Sequence, residues 1–161
     1  HSLYVKCRKF NKLDVNDFLN IRIKQSELID LYTSGAIINL ANLGLDDKCN
    51  FNSYDFIGII ESALDARVSS NLERQKLLMY EAHFLQREKQ YLLAVERLEK
   101  AFNRYNANPV PLFLASEWML DIKRKGKAEK YFIKAVNVAR SSGKNYDSFI
   151  TRIEKRIKGD K

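Results

Sequence analysis

Shifted against itself by 34 residues, the chain sets small side chains on small ones and bulky on bulky. Leu78 falls on Leu112, Ala82 on Ser116, Leu85 on Met119, Ala94 on Ala128, Leu98 on Phe132 and Ala101 on Ala135. A fixed period of this length is what stacked helical hairpins leave in a sequence, because each hairpin repeats the same contacts with its neighbour. Alanine at 94, 101, 128 and 135 then marks where helices cross too closely for a larger side chain, so these residues are contact points and not reactive groups.

The rest of the chain supports helices. It has only 2 Pro and 6 Gly in 161 residues, and 30% of it is charged. Apolar residues recur three and four apart: Leu28, Ile29, Leu31, Tyr32, Ala36, Ile37, Leu40 and Ala41, with Gly44 and the polar run 46–50 as the stop. Ser53 is placed to cap the next helix, with Phe56, Ile57, Ile60, Ala63 and Leu64 as its stripe. Further helices are expected over 72–87, from 91 to the Asn108-Pro109 boundary, over about 111–122, over 127–141 up to Ser-Ser-Gly, and over 146–158. A weaker rhythm in Val15, Phe18, Leu19 and Ile23 suggests a helix within 3–24. No segment alternates with period two, so the chain reads as all-α.

The 34-residue hairpins resemble the tetratricopeptide repeat family. The match covers about 74–141, two repeats. Ala94 and Ala128 stand at the family's first alanine of the second helix, Ala82 and Ser116 at its small site in the first, and Ala101 and Ala135 at its second alanine. Asn106 and Pro109 lie near its terminal proline. Leu78 and Leu112 replace the signature tryptophan, the proline comes three residues late, and Gly126 sits nearer Ala128 than the family's turn glycine.

The resemblance implies a helical-hairpin solenoid of about seven helices. Residues 1–25 form an N-terminal segment and 26–145 the array, with 26–67 as a divergent hairpin; 146–161 is a capping helix with a basic tail. More loosely, a Ser34-Gly35 helix, a loop with Cys49, a short helix and two repeats resemble the soluble C-terminal tail of certain bacterial multi-pass membrane proteins. Those are of the oligosaccharyltransferase, O-antigen-polymerase or mannosyltransferase type. That likeness makes 1–25 juxtamembrane and the domain periplasmic, at the inner membrane. Lys6, Arg8 and Lys9, if they followed a membrane helix, favour the cytoplasmic side.

Signals for chemistry are few. Cys7 and Cys49 lack the spacing of a zinc knuckle or a CxxC pair. His83 is the sole histidine besides His1, its "HFLQRE" lacks the second histidine of HExxH, and no GxxxxGK[ST], GxGxxG or GxSxG occurs. The expectation is a non-catalytic module without cofactor or metal.

On the geometry the resemblance implies, Lys76, Met79, His83, Gln86 and Arg87 share a concave groove with Phe113, Glu117, Leu120 and Asp121. This would place a basic wall, an acidic wall and an apolar centre before a protein or peptide partner. The competing reading is a solvated helix face. Met79 and Phe113 stand where some relatives grip a carboxylate terminus with polar groups, so that mode is disfavoured. Phe84 and Trp118 are expected in the core.

Charge is uneven. Residues 1–50 carry seven Lys/Arg against six Asp/Glu, 51–100 seven against eight, and 101–161 fourteen against six, so the net +8 lies in the last third. "KRKGK" supplies a basic patch of Lys123, Arg124, Lys125 and Lys127 at a turn. Such a patch suits solvent, anionic lipid or nucleic-acid phosphate, in that order, since no aromatics are interleaved for base stacking. No apolar run approaches the roughly 18–20 residues needed to span a bilayer.

Overall fold

The computed structural model describes residues 52–65 and 70–159, preceded by Ile38, Ala41, Asn42, Gly44 and Leu45. The described residues are all-helical: α1 (Ser53–Asp65), α2 (Asn71–Arg87), α3 (Tyr91–Arg104), α4 (Val110–Asp121), α5 (Lys125–Ser142) and α6 (Asp147–Gly159). That is six helices in place of about seven. The helix expected within 3–24, and most of the one expected over 26–44, lie outside the described residues, as do Cys7 and Cys49.

Local chemistry sets the helix ends. The Ser70 hydroxyl caps α2 by accepting from the Glu73 amide at 3.1 Å, which relieves one of the four amides a helix start leaves without a partner. At α1 the expected cap is displaced by one residue. Ser53 is itself helical and buried, and the Asn52 side chain accepts from the Tyr54 amide at 2.9 Å. The α5 helix ends on Gly143 in the left-handed region, φ 68°, as Ser-Ser-Gly suggested.

The α2–α3 and α4–α5 turns have the same conformation 34 residues apart. Lys89 and Lys123 are left-handed, with φ 60° and 58°. The Lys89 amide donates to the Gln86 carbonyl and the Lys123 amide to Leu120, both at 2.9 Å; Gln90 donates to Leu85 at 2.9 Å and Arg124 to Met119 at 2.8 Å. The first helical amides inside the next alanines match too, Ala94 to Gln90 and Ala128 to Arg124. A turn glycine would fit the left-handed position without strain. Lysine holds it in both turns, and Gly126 is instead a residue of α5 with open space around it.

Neighbours in sequence are neighbours in space. The α1 helix packs on α2, α2 on α3, α3 on α4 and α4 on α5, while α6 lies on both α4 and α5. Ala82, Ala94, Ala101, Ala128 and Ala135 are fully buried, consistent with close crossings. Phe56 of α1 stacks on Phe84 of α2, centroids 5.0 Å apart. Its ring also sits over Gly44, where a Cβ would come within 2.7 Å, so Gly44 is a close-approach position and not merely a helix stop.

Two buried polar side chains fasten the hairpins. Gln75 of α2 donates to the Ala101 and Tyr105 carbonyls at the end of α3, at 3.0 and 2.8 Å, and accepts from Asn108 at 3.1 Å. It thereby adds a shorter hydrogen bond to each of two carbonyls at this helix end whose backbone amide partners, Tyr105 and Asn108, stand at 3.4 Å. Ser116 of α4 donates to the Ala128 carbonyl of α5 at 2.8 Å.

Candidate functional site

Three helices, α2, α4 and α6, carry the residues of the expected groove or cover them. On α2, Lys76 is exposed, while Met79, His83, Gln86 and Arg87 are half-buried. The His83 ring meets Trp118 of α4 edge-on, centroids 5.2 Å apart and planes at 80°. Burial lowers the pKa of His83 below its ordinary value, so the ring is neutral at pH 7 and packs as an apolar body. The Arg87 guanidinium donates to the Gly44 carbonyl at 2.8 Å, which ties it to the segment before α1.

The α4 residues are brought to α6 and not to open solvent. Phe113 is fully buried, stacked on Phe149 at 5.2 Å and 11° and flanked by Tyr146 and Phe132. Glu117 takes a two-point contact from Arg152, Nε to Oε2 at 3.0 Å and Nη2 to Oε1 at 2.5 Å, and Asp121 takes Arg156 Nη2 at 2.6 Å. Leu120 is buried.

Residues 113, 117 and 121 thus meet 149, 152 and 156 in ascending order, which requires parallel helices. Spacings of three and four keep each set on one face. The acidic wall is neutralised by α6, and the apolar centre lies beneath it. Lys76, Gln86 and the open edges of Met79 and His83 remain toward solvent, with Arg152 half-exposed nearby. Phe84 and Trp118 both lie in the core.

The basic patch occupies the α4–α5 turn. Lys123, Arg124 and Lys127 are exposed and Lys125 is half-buried. His83 has no hydrogen-bonded nucleophile or carboxylate among the described residues, and no group of three metal-ligating side chains occurs among them.

A charged cluster went unforeseen. Glu81 of α2, 1% exposed, accepts from Arg97 Nε of α3 at 2.9 Å; Arg97 also reaches Glu96 at 3.4 Å and Glu61 of α1 at 3.9 Å. Burial pushes the Glu81 carboxyl up to about 7; Arg97 opposes the rise, and Glu61 adds to it. The sequence does hold a signal. Glu81 falls on the stripe of Leu77, Leu78, Ala82 and Leu85, where a charge needs a partner.

No protein family, curated protein or solved structure was found to match the chain. None of the described helices is long and apolar enough to cross a membrane.

Proposed function

We propose that this chain is a non-catalytic docking module of tetratricopeptide type, in which stacked hairpins hold one face of α2 toward a protein or peptide partner. The observation that carries this reading is the pair of turns 34 residues apart with the same left-handed lysine and the same hydrogen bonds. Two turns built alike are what successive units of a repeat array would share, and His83 of α2 touches Trp118 of α4. Exposed Thr151, Glu154, Lys155 and Lys158 on α6 supply the polar outer face that an end-cap requires.

The binding face centres on Lys76, Met79, His83 and Gln86. Because Arg152 and Arg156 engage the α4 carboxylates, this side of the molecule is neutral to basic, and the fitting partner is a polar or acidic segment laid across α2. On the looser resemblance, the module is the periplasmic tail of a bacterial membrane protein that assembles surface glycan or glycoprotein. Lys6, Arg8 and Lys9, if they followed a membrane helix, would favour the cytoplasmic side instead, and the alternative to a membrane protein's tail is a stand-alone cytoplasmic adaptor. Several apolar segments of roughly 20 residues upstream in the gene would decide for the former.

The test is capture by the purified chain from a detergent-solubilised lysate at low and high salt, beside a Lys76→Glu, Gln86→Ala variant. A protein retained at high salt by the parent and lost by the variant supports docking on α2. Equal recovery by both, or recovery of nothing that survives salt, refutes it.

A further inference from the structure

The surplus positive charge of the last third is sorted by helix. On α6, Arg152 and Arg156 are paired with Glu117 and Asp121, leaving Lys155 and Lys158 exposed on its outer side. On α5, Lys127, Lys130 and Lys134 are exposed and fall within about 60° of arc at 3.6 residues per turn. Exposed Lys123 and Arg124 extend the strip at its N-terminal end, and none of these five cations is in an ion pair among the described residues.

The carboxylates nearby are otherwise engaged or turned away. Glu99 of α3 accepts from the Tyr131 hydroxyl, and Glu96 holds Lys100 and Arg97. Glu129, the only carboxylate of α5, points roughly 130° from the strip. Lys134 rests over the Phe102 ring at 4.8 Å. On the solvent side of the strip stands Ile133, the most exposed large apolar side chain described at 60%, beside Gly126 with open space around it.

We propose that this outer face of α5 is an adhesion surface for a bilayer bearing anionic phospholipid. Its geometry is that of a helix of 18 residues, about 27 Å long, with Lys127, Lys130 and Lys134 along one side of it. Four of the five cations are lysines, compact point charges suited to a diffuse anionic layer; bidentate grips on individual phosphates favour arginine. Ile133 beside the strip offers an apolar side chain to the headgroup layer. A nucleic-acid strand is the poorer fit, because no exposed aromatic of α5 offers a base a face to stack on. The surface is separate from α2, so the inference stands or falls independently of the docking face.

Each basic side chain near an anionic leaflet strengthens attachment about fivefold, an effect that salt screens. Flotation of the full chain with phosphatidylcholine vesicles, with and without phosphatidylserine, measures it. The comparison variants are Lys127→Gln, Lys130→Gln, Lys134→Gln together, and an equal charge loss elsewhere, Lys144→Gln, Lys155→Gln, Lys158→Gln; circular dichroism verifies their fold.

Expected are phosphatidylserine-dependent binding at low salt, a loss of on the order of a hundredfold in the first variant, a much smaller loss in the second, and a further weakening by Ile133→Ser. Equal losses in both triple variants would reduce the effect to net charge and overturn the assignment. Absence of vesicle binding would overturn it as well, and so would capture of a single-stranded oligonucleotide through the same lysines without vesicle binding.

Discussion

Replacing Glu81 by Gln should stabilise the protein at high pH and leave it nearly unchanged at low pH. Glu81 is 1% exposed, and its carboxyl is raised from 4.5 to about 7. The folded state therefore holds this proton more tightly than the unfolded chain does. Below pH 4.5 both states are protonated and the residue contributes nothing. As pH rises through the window from 4.5 to about 7, the unfolded chain releases the proton first, and folding stability falls.

Above the folded pKa the penalty levels off at about 3 kcal/mol, since a tenfold difference in proton affinity between the two states corresponds to about 1.4 kcal/mol. Glutamine keeps an oxygen to accept from Arg97 Nε but never carries the charge, so it escapes the penalty, and Arg97 retains Glu96 and Glu61. Urea unfolding of parent and variant, followed by circular dichroism across that window, gives the difference directly. The predicted stability gap opens with rising pH in favour of the variant. A gap that stays constant, or a variant that loses stability above neutrality, would mean that Arg97 stabilises the ionised carboxylate fully and that burial does not dominate.

Three further substitutions test the packing. Ala101→Leu should overpack the α2–α3 crossing and cost about 1–3 kcal/mol in thermal unfolding; a neutral result would contradict the close approach there. Lys123→Gly should stabilise by roughly 0.5–1 kcal/mol by relieving the left-handed position, and Lys89→Gly should do the same, because the two turns are alike; opposite signs would show that they are not equivalent. Gln75→Leu should cost about 1–3 kcal/mol by removing two buried side-chain hydrogen bonds and leaving the Ala101 and Tyr105 carbonyls only their backbone amides at 3.4 Å, visible as a lower urea midpoint, whereas Asn108→Ala, which keeps both Gln75 bonds, should cost less.

Much of the helical layout was legible because buried faces impose a period. The alanines at 94, 101, 128 and 135 were expected at close helix contacts, and all four are fully buried. Helix ends were legible where a side chain or glycine performs the stop, as at Gly143. The ends at Arg87 and Asp121 also fell within one residue of expectation, but the left-handed lysines that follow them, closed by local backbone bonds, were not legible, because local preference disfavours that conformation for lysine. The candidate groove was harder to read. The repeat geometry that the resemblance implies placed Phe113, Glu117 and Asp121 on one face, but it gave no sign that α6 would cover that face with Phe149, Arg152 and Arg156. A helix pattern names the residues that share a side and leaves open which neighbour takes it. Gln75 and Glu81 escaped for a related reason: polar residues on an inward stripe are meaningful only once the partner helix supplies a carbonyl or a guanidinium.

Site-specific photo-crosslinking tests the docking face most directly. A photoreactive residue in place of Met79 on α2, compared with one in place of Lys155 on the outer face of α6, should give a discrete protein adduct from position 79 that persists in high salt, and none from 155. Equal adducts from both positions, or none from 79 under conditions where the chain retains a partner, would contradict the assignment of the binding face to α2.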